Sequence, residues 1–143
     1  MERRANVQTF ALVFGALYVL VGILGFVPGL VTPEPAHDMA IDAGHGRLLG
    51  LFPVNLAHNL VHLLIGAWGL LAMRSLAGSV NYARGLAVLY GVLAVLGLIP
   101  ATNTLFGIAP IYGLDVFLHA ASALIAGYFG FVDRSGRDAR PAV

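Results

Sequence analysis

The stretch Val54-Asn55-Leu56-Ala57-His58-Asn59-Leu60-Val61-His62-Leu63-Leu64-Ile65-Gly66 decides how this chain is read. Asn55, His58, Asn59 and His62 fall at i, i+3, i+4 and i+7, so on a helix they form one polar stripe on one face. The stripe lies inside a run from Leu48 to Met73 that holds no charged residue. Polar groups are costly in hydrocarbon, so such a stripe either holds helices together or forms a site.

Three more uncharged runs accompany it. The first lies between Arg4 and Glu34 and is closed by Pro28-Gly29. The third lies between Arg84 and Asp115 and splits at Pro100, with Ala101 to Pro110 read as a loop. The fourth runs to Val132. Each apolar segment is long enough to cross a hydrocarbon core of about 30 Å, and backbone groups in lipid must be satisfied internally. The spacing therefore predicts an all-α, four-helix transmembrane bundle forming a single domain over 1–143. Its helices are expected at about 8–29, 51–73, 83–100 and 111–132, with Pro53 in the first turn of the second. A loop at 30–50 and a tail at 133–143 complete the chain.

Composition agrees. The chain has 143 residues, 59% hydrophobic and 10% charged, where a soluble domain carries about 25% charged. It holds no cysteine, which excludes disulfides, thiolate metal sites and cysteine nucleophiles. All eight basic residues are arginine, and the net charge of +1 gives no footing for nucleic acid. Arg3, Arg4, Arg74, Arg84, Arg134, Arg137 and Arg140 fall on one side of the expected membrane, and Arg47 alone on the other. The positive-inside rule then places both termini in the cytoplasm, with the chain as a multi-pass protein of the cell (inner) membrane. The first helix ends in Phe26-Val27-Pro28-Gly29 without a small-x-small cleavage site, so it reads as a retained span.

A weak repeat runs through the chain. Leu17 to Pro28 aligns without gaps on Leu89 to Pro100, with Leu, Tyr, Leu, Gly and Pro matched in place. His58-x-x-x-His62 then falls on Asp115-x-x-x-His119. Two helices per unit give a parallel 2+2 repeat, which makes His62 and His119 equivalent.

The candidate site follows. His58 and His62 at i, i+4 can reach one ion, and Asp115 and His119 share that spacing. Together His58, His62, Asp115 and His119 form a donor set suited to a divalent transition metal such as zinc, iron or copper. Alternatively His62 and His119 ligate a haem or other tetrapyrrole axially from facing helices. Position 59 is Asn, so the glutamate of a zinc protease is missing and the chain reads more as a binder than an enzyme. The structural alternative is that Asn55, Asn59 and the histidines only hydrogen-bond across helices, at about 0.6 kcal/mol each. Asp115 also suits a solvated helix N-terminus. The loop segment His37 to Arg47 reads as a short solvated helix over the outer mouth, a candidate lid.

The blocks Gly22 to Gly29, Val54 to Gly66 and Asp115 to His119 are similar to those of small bacterial four-pass membrane proteins known as a domain of unknown function. The resemblance covers about residues 5 to 132 and is most specific at His58-Asn59-Leu60-Val61-His62. It implies the four-helix membrane fold and no activity. Two functions stay open: a metal- or tetrapyrrole-binding membrane protein, and a non-catalytic accessory subunit. For the second, small-residue faces such as Ala11/Gly15 and Ala123/Gly127 would pack against a larger complex or a second copy.

Overall fold

A computed structural model describes residues 6–35 and 39–134. Arg3, Arg4, His37, Asp38, Arg137 and Arg140, and the tail beyond Arg134, lie outside the described residues. Four helices make the bundle: α1 (Asn6–Leu24), α2 (Leu56–Ala72), α3 (Leu76–Leu98) and α4 (Leu114–Gly127). A single π-helical turn, Tyr128–Val132, extends α4. With that turn, α1, α3 and α4 are long and apolar enough to cross a membrane, and α2 is a shorter apolar helix.

The segment before α2 folds differently from the expected lid helix. Three short strands, β1 (Val31–Pro33), β2 (Gly46–Leu48) and β3 (Phe52–Val54), form an antiparallel sheet in the order β1-β2-β3. Pro53 pairs with Arg47 in that sheet and does not enter the helix. Here an edge strand accommodates the missing N–H as readily as a first helical turn. Helix α2 starts instead after Asn55, whose extended backbone and side-chain bond to the His58 amide (2.9 Å) make it the N-cap.

Helix α3 also begins earlier than the apolar run suggests. Ser75 caps it by accepting from the Gly78 amide at 3.0 Å. Residues 76–82, read from sequence as loop, are its first two turns, and Ser79 bonds back to the Ala72 and Ser75 carbonyls. The α2–α3 connection shrinks to Met73–Ser75, which forces the two helices to be antiparallel neighbours.

Packing follows the small residues. Helices α1 and α2 meet at Gly15 and Gly66, where a Cβ on Gly66 would stand 2.7 Å from the Gly15 carbonyl. Around this seam lies a core of Phe10, Ala11, Tyr82, Ala83, Leu86 and Ala126. The π turn leaves the Gly130 carbonyl open, and Arg84 Nε donates to it at 2.9 Å while its guanidinium lies over Phe131.

Candidate metal centre

The polar stripe faces inward. Asn55, His58, Asn59 and His62 are all buried. Asn55 does more than cap α2. Its amide donates to the Ile41 carbonyl (2.7 Å) and the Ile108 carbonyl (2.8 Å), joining the sheet loop to the α3–α4 loop. Asn59 donates to the Gly25 carbonyl at 2.9 Å, and a Cβ at Gly25 would overlap the Asn59 amide. These two asparagines fix α2 against both neighbours and so fix where His58 points.

His58, Asp115 and His119 converge. They are 5%, 4% and 2% exposed. Asp115 Oδ2 stands 3.4 Å from His119 Nε2 and 3.8 Å from His58 Nε2. One donor atom from each residue lies within 4.8 Å of the other two. Asp115 is thus not a solvated terminus. It sits buried in the first turn of α4, where the helix dipole favours a carboxylate.

His62 stands beside this group. Its Nδ1 lies 3.2 Å from the His58 carbonyl. A carbonyl only accepts, so this bond puts the proton on Nδ1 and leaves Nε2 with its lone pair. The His62 ring stacks on His58 with centroids 4.6 Å apart. The structure therefore brings three of the four sequence candidates into one donor cluster and sets the fourth against it.

Two residues not singled out from sequence complete the walls. Tyr18 stacks on His62 (5.6 Å) and on Tyr90 (5.3 Å), and Tyr90 packs on His119 (4.9 Å). With His58 near His119 at 6.3 Å, five buried rings close a loop. Tyr18 and Tyr90 occupy matched positions in the repeat, so each half places a tyrosine of its first helix against a histidine of its second. The match continues at Gly25 against Asn59 and Gly97 against Val116.

The buried polar inventory is unbalanced. Asp115 Oδ2, His58 Nδ1, His119 Nδ1 and the Tyr18 hydroxyl close no hydrogen bond. The Pro110 carbonyl is in reach of the His58 ring, and Ser122 and Tyr90 are near the Tyr18 hydroxyl, without closing the geometry. Each orphaned buried group costs about 1–3 kcal/mol, and a hydrophobic replacement would avoid that cost. Asp115 Oδ2 thus faces two imidazole nitrogens without closing a hydrogen bond to either.

A smaller polar cluster lies under the sheet. His45 is buried, with Nδ1 3.2 Å from the Glu34 carbonyl and Nε2 3.5 Å from the Tyr112 hydroxyl. Glu34 pairs with Arg47. Burial, then the Glu34 carboxylate, pushes the Tyr112 hydroxyl above its usual range, so it stays a neutral donor.

The chain belongs to a family described as Domain of unknown function (DUF4383), which matches residues 8–132. No curated protein and no solved structure matches it. The site must therefore be interpreted from its own geometry.

Proposed function

We propose that this protein holds a divalent transition-metal ion between α2 and α4, with His58, Asp115 and His119 as ligands and the His62 ring stacked beside them. The spacing of the donors carries the proposal. Ligands at about 2.0–2.2 Å from a tetrahedral ion stand roughly 3.3–3.6 Å from one another. The 3.4 Å separation of Asp115 Oδ2 from His119 Nε2 falls in that range, the 3.8 Å separation from His58 Nε2 lies just beyond it, and both are too long for good hydrogen bonds. Two imidazoles and one carboxylate suit zinc, and equally a ferrous or cupric ion. Three protein ligands leave a position that a small oxygen ligand can take.

The ion is favoured over a tetrapyrrole by the same rings. A macrocycle ligated by His62 and His119 needs a flat cavity between them. Tyr18 and Tyr90 instead link the two histidines by direct ring contacts, stacked at His62 and tilted at His119.

Orientation belongs to the same proposal. The exposed Arg74, Arg84 and Arg134 lie at or near the bundle end that carries the α2–α3 turn and the end of α4, and Arg47 lies at the sheet end. That asymmetry supports a cytoplasmic face opposite the sheet and a site in the outer half of the bilayer.

The test is metal content in single variants. His58→Ala, His119→Ala and Asp115→Asn should each lose the ion while keeping helical content. An ion retained by all three at wild-type stoichiometry would refute the assignment.

A further inference from the structure

Among the described residues, three non-glycine residues adopt a left-handed backbone: Leu49 (φ 54°), Leu105 (φ 47°) and Phe106 (φ 58°). All three are large and apolar, and all three lie at the sheet end of the bundle. Left-handed positions carry a steric cost that Gly avoids and Asn or Asp reduces. Leu49 and Gly50 (φ 73°) form the tip of the β2–β3 hairpin, a turn that ordinarily selects Asn-Gly. Leu49 is nevertheless 59% exposed and Phe106 77%. In water a polar residue would be both less strained and better solvated at either site. The sequence instead bears strain at both places and turns an apolar side chain outward.

The length of the bundle says what those side chains meet. Helix α2 has 17 residues and so spans about 26 Å, and α4 with its π turn has 19 and spans about 28 Å. A hydrocarbon core is about 30 Å thick. The helices fall short, so the segments that precede α2 and α4 must sit at the edge of the hydrocarbon. Large apolar side chains stay exposed past the ends of α1 and α3, at Phe26, Val27 and Ile99.

We propose that Leu49 and Leu51 on the hairpin and Phe106 and Ile108 on the α3–α4 loop dock into the phospholipid leaflet on their own side. They seat the sheet at the acyl–headgroup boundary rather than in solvent. Docking at two loops holds down the β2–β3 hairpin and the α3–α4 loop, whose Ile108 carbonyl accepts from Asn55.

The chain has no cysteine, so single probes are clean. Leu49→Cys, Phe106→Cys and, as a reference, the exposed Asp42→Cys are each spin-labelled in the full chain. The protein is reconstituted in phosphatidylcholine–phosphatidylglycerol vesicles. Collision rates with oxygen and with a water-soluble nickel chelate report depth. The labels at 49 and 106 should meet oxygen more often than nickel, and the label at 42 the reverse. Nickel accessibility at 49 and 106 equal to that at 42 would overturn the proposal. So would shielding from both reagents with spin–spin broadening, which would mean that a second copy covers the surface. Because 49 and 106 lie on separate loops, misfolding of one variant leaves the other to decide.

Discussion

Replacing Asn55 by Ala removes three interactions with one change. The cap bond to the His58 amide is lost, at about 1 kcal/mol. Two donated bonds, to the Ile41 and Ile108 carbonyls, are lost as well, each worth about 0.5–1.5 kcal/mol net. The variant should therefore be destabilised by about 2–4 kcal/mol. A second variant separates the contributions. Asn55→Ser keeps a capping oxygen but is too short to reach both loops, so it should regain about 1 kcal/mol over Ala. Both values are read from reversible unfolding in mixed detergent micelles, followed by far-ultraviolet circular dichroism. If Asn55→Ala costs less than about 1 kcal/mol, the residue is not the three-way tie described. If Ser is no better than Ala, the cap contributes nothing and the start of α2 has another cause.

Gly25→Ala should cost about 1–3 kcal/mol, because the new methyl overlaps the Asn59 amide and displaces a buried hydrogen bond; a melting temperature equal to wild type would contradict the close approach. Glu34→Gln should change stability by at most about 1 kcal/mol, since its pair with Arg47 is partly exposed, and this is checked by the same unfolding titration. The raised Tyr112 pKa also fixes a sign. Its contribution is fully present below the unfolded value of about 10 and is lost as pH rises through the higher folded value. Glu34→Gln removes a negative neighbour, so ultraviolet phenolate titration should show that hydroxyl ionising at lower pH than in the wild type. Membrane-impermeant maleimide should label Asp42→Cys from outside intact cells and Arg74→Cys only after lysis, and the reverse pattern would invert the orientation.

Much of the site was legible in the sequence because helical periodicity is strict. The i, i+3, i+4, i+7 stripe required Asn55, His58, Asn59 and His62 to share a face, and burial was the only inexpensive place for it. Asp115 was readable as a partner of His58 only through the repeat, since its position at a helix start suits solvent equally well. The same repeat matched Tyr18 to Tyr90, a signal sufficient to place both beside the histidines, yet aromatic residues in a membrane helix rarely declare whether they face lipid or core. The sheet was not legible. Its strands are three residues long, too short for alternation to register, and Pro53 suits the first turn of a helix as well as an edge strand. The early start of α3 was hidden by Arg84 and Tyr82, whose polar ends suggest an interface. Ser75 as N-cap was the local signal that would have corrected it.

X-ray absorption at the metal edge tests the central claim most directly. Protein purified from its native membrane should carry an ion with a first shell of nitrogen and oxygen at about 2.0–2.2 Å and the outer-shell scattering of at least two imidazoles. In His119→Ala and in Asp115→Asn the ion, and with it this signal, should be lost. A shell of oxygen alone with no imidazole scattering would contradict the account, as would a spectrum that neither substitution alters.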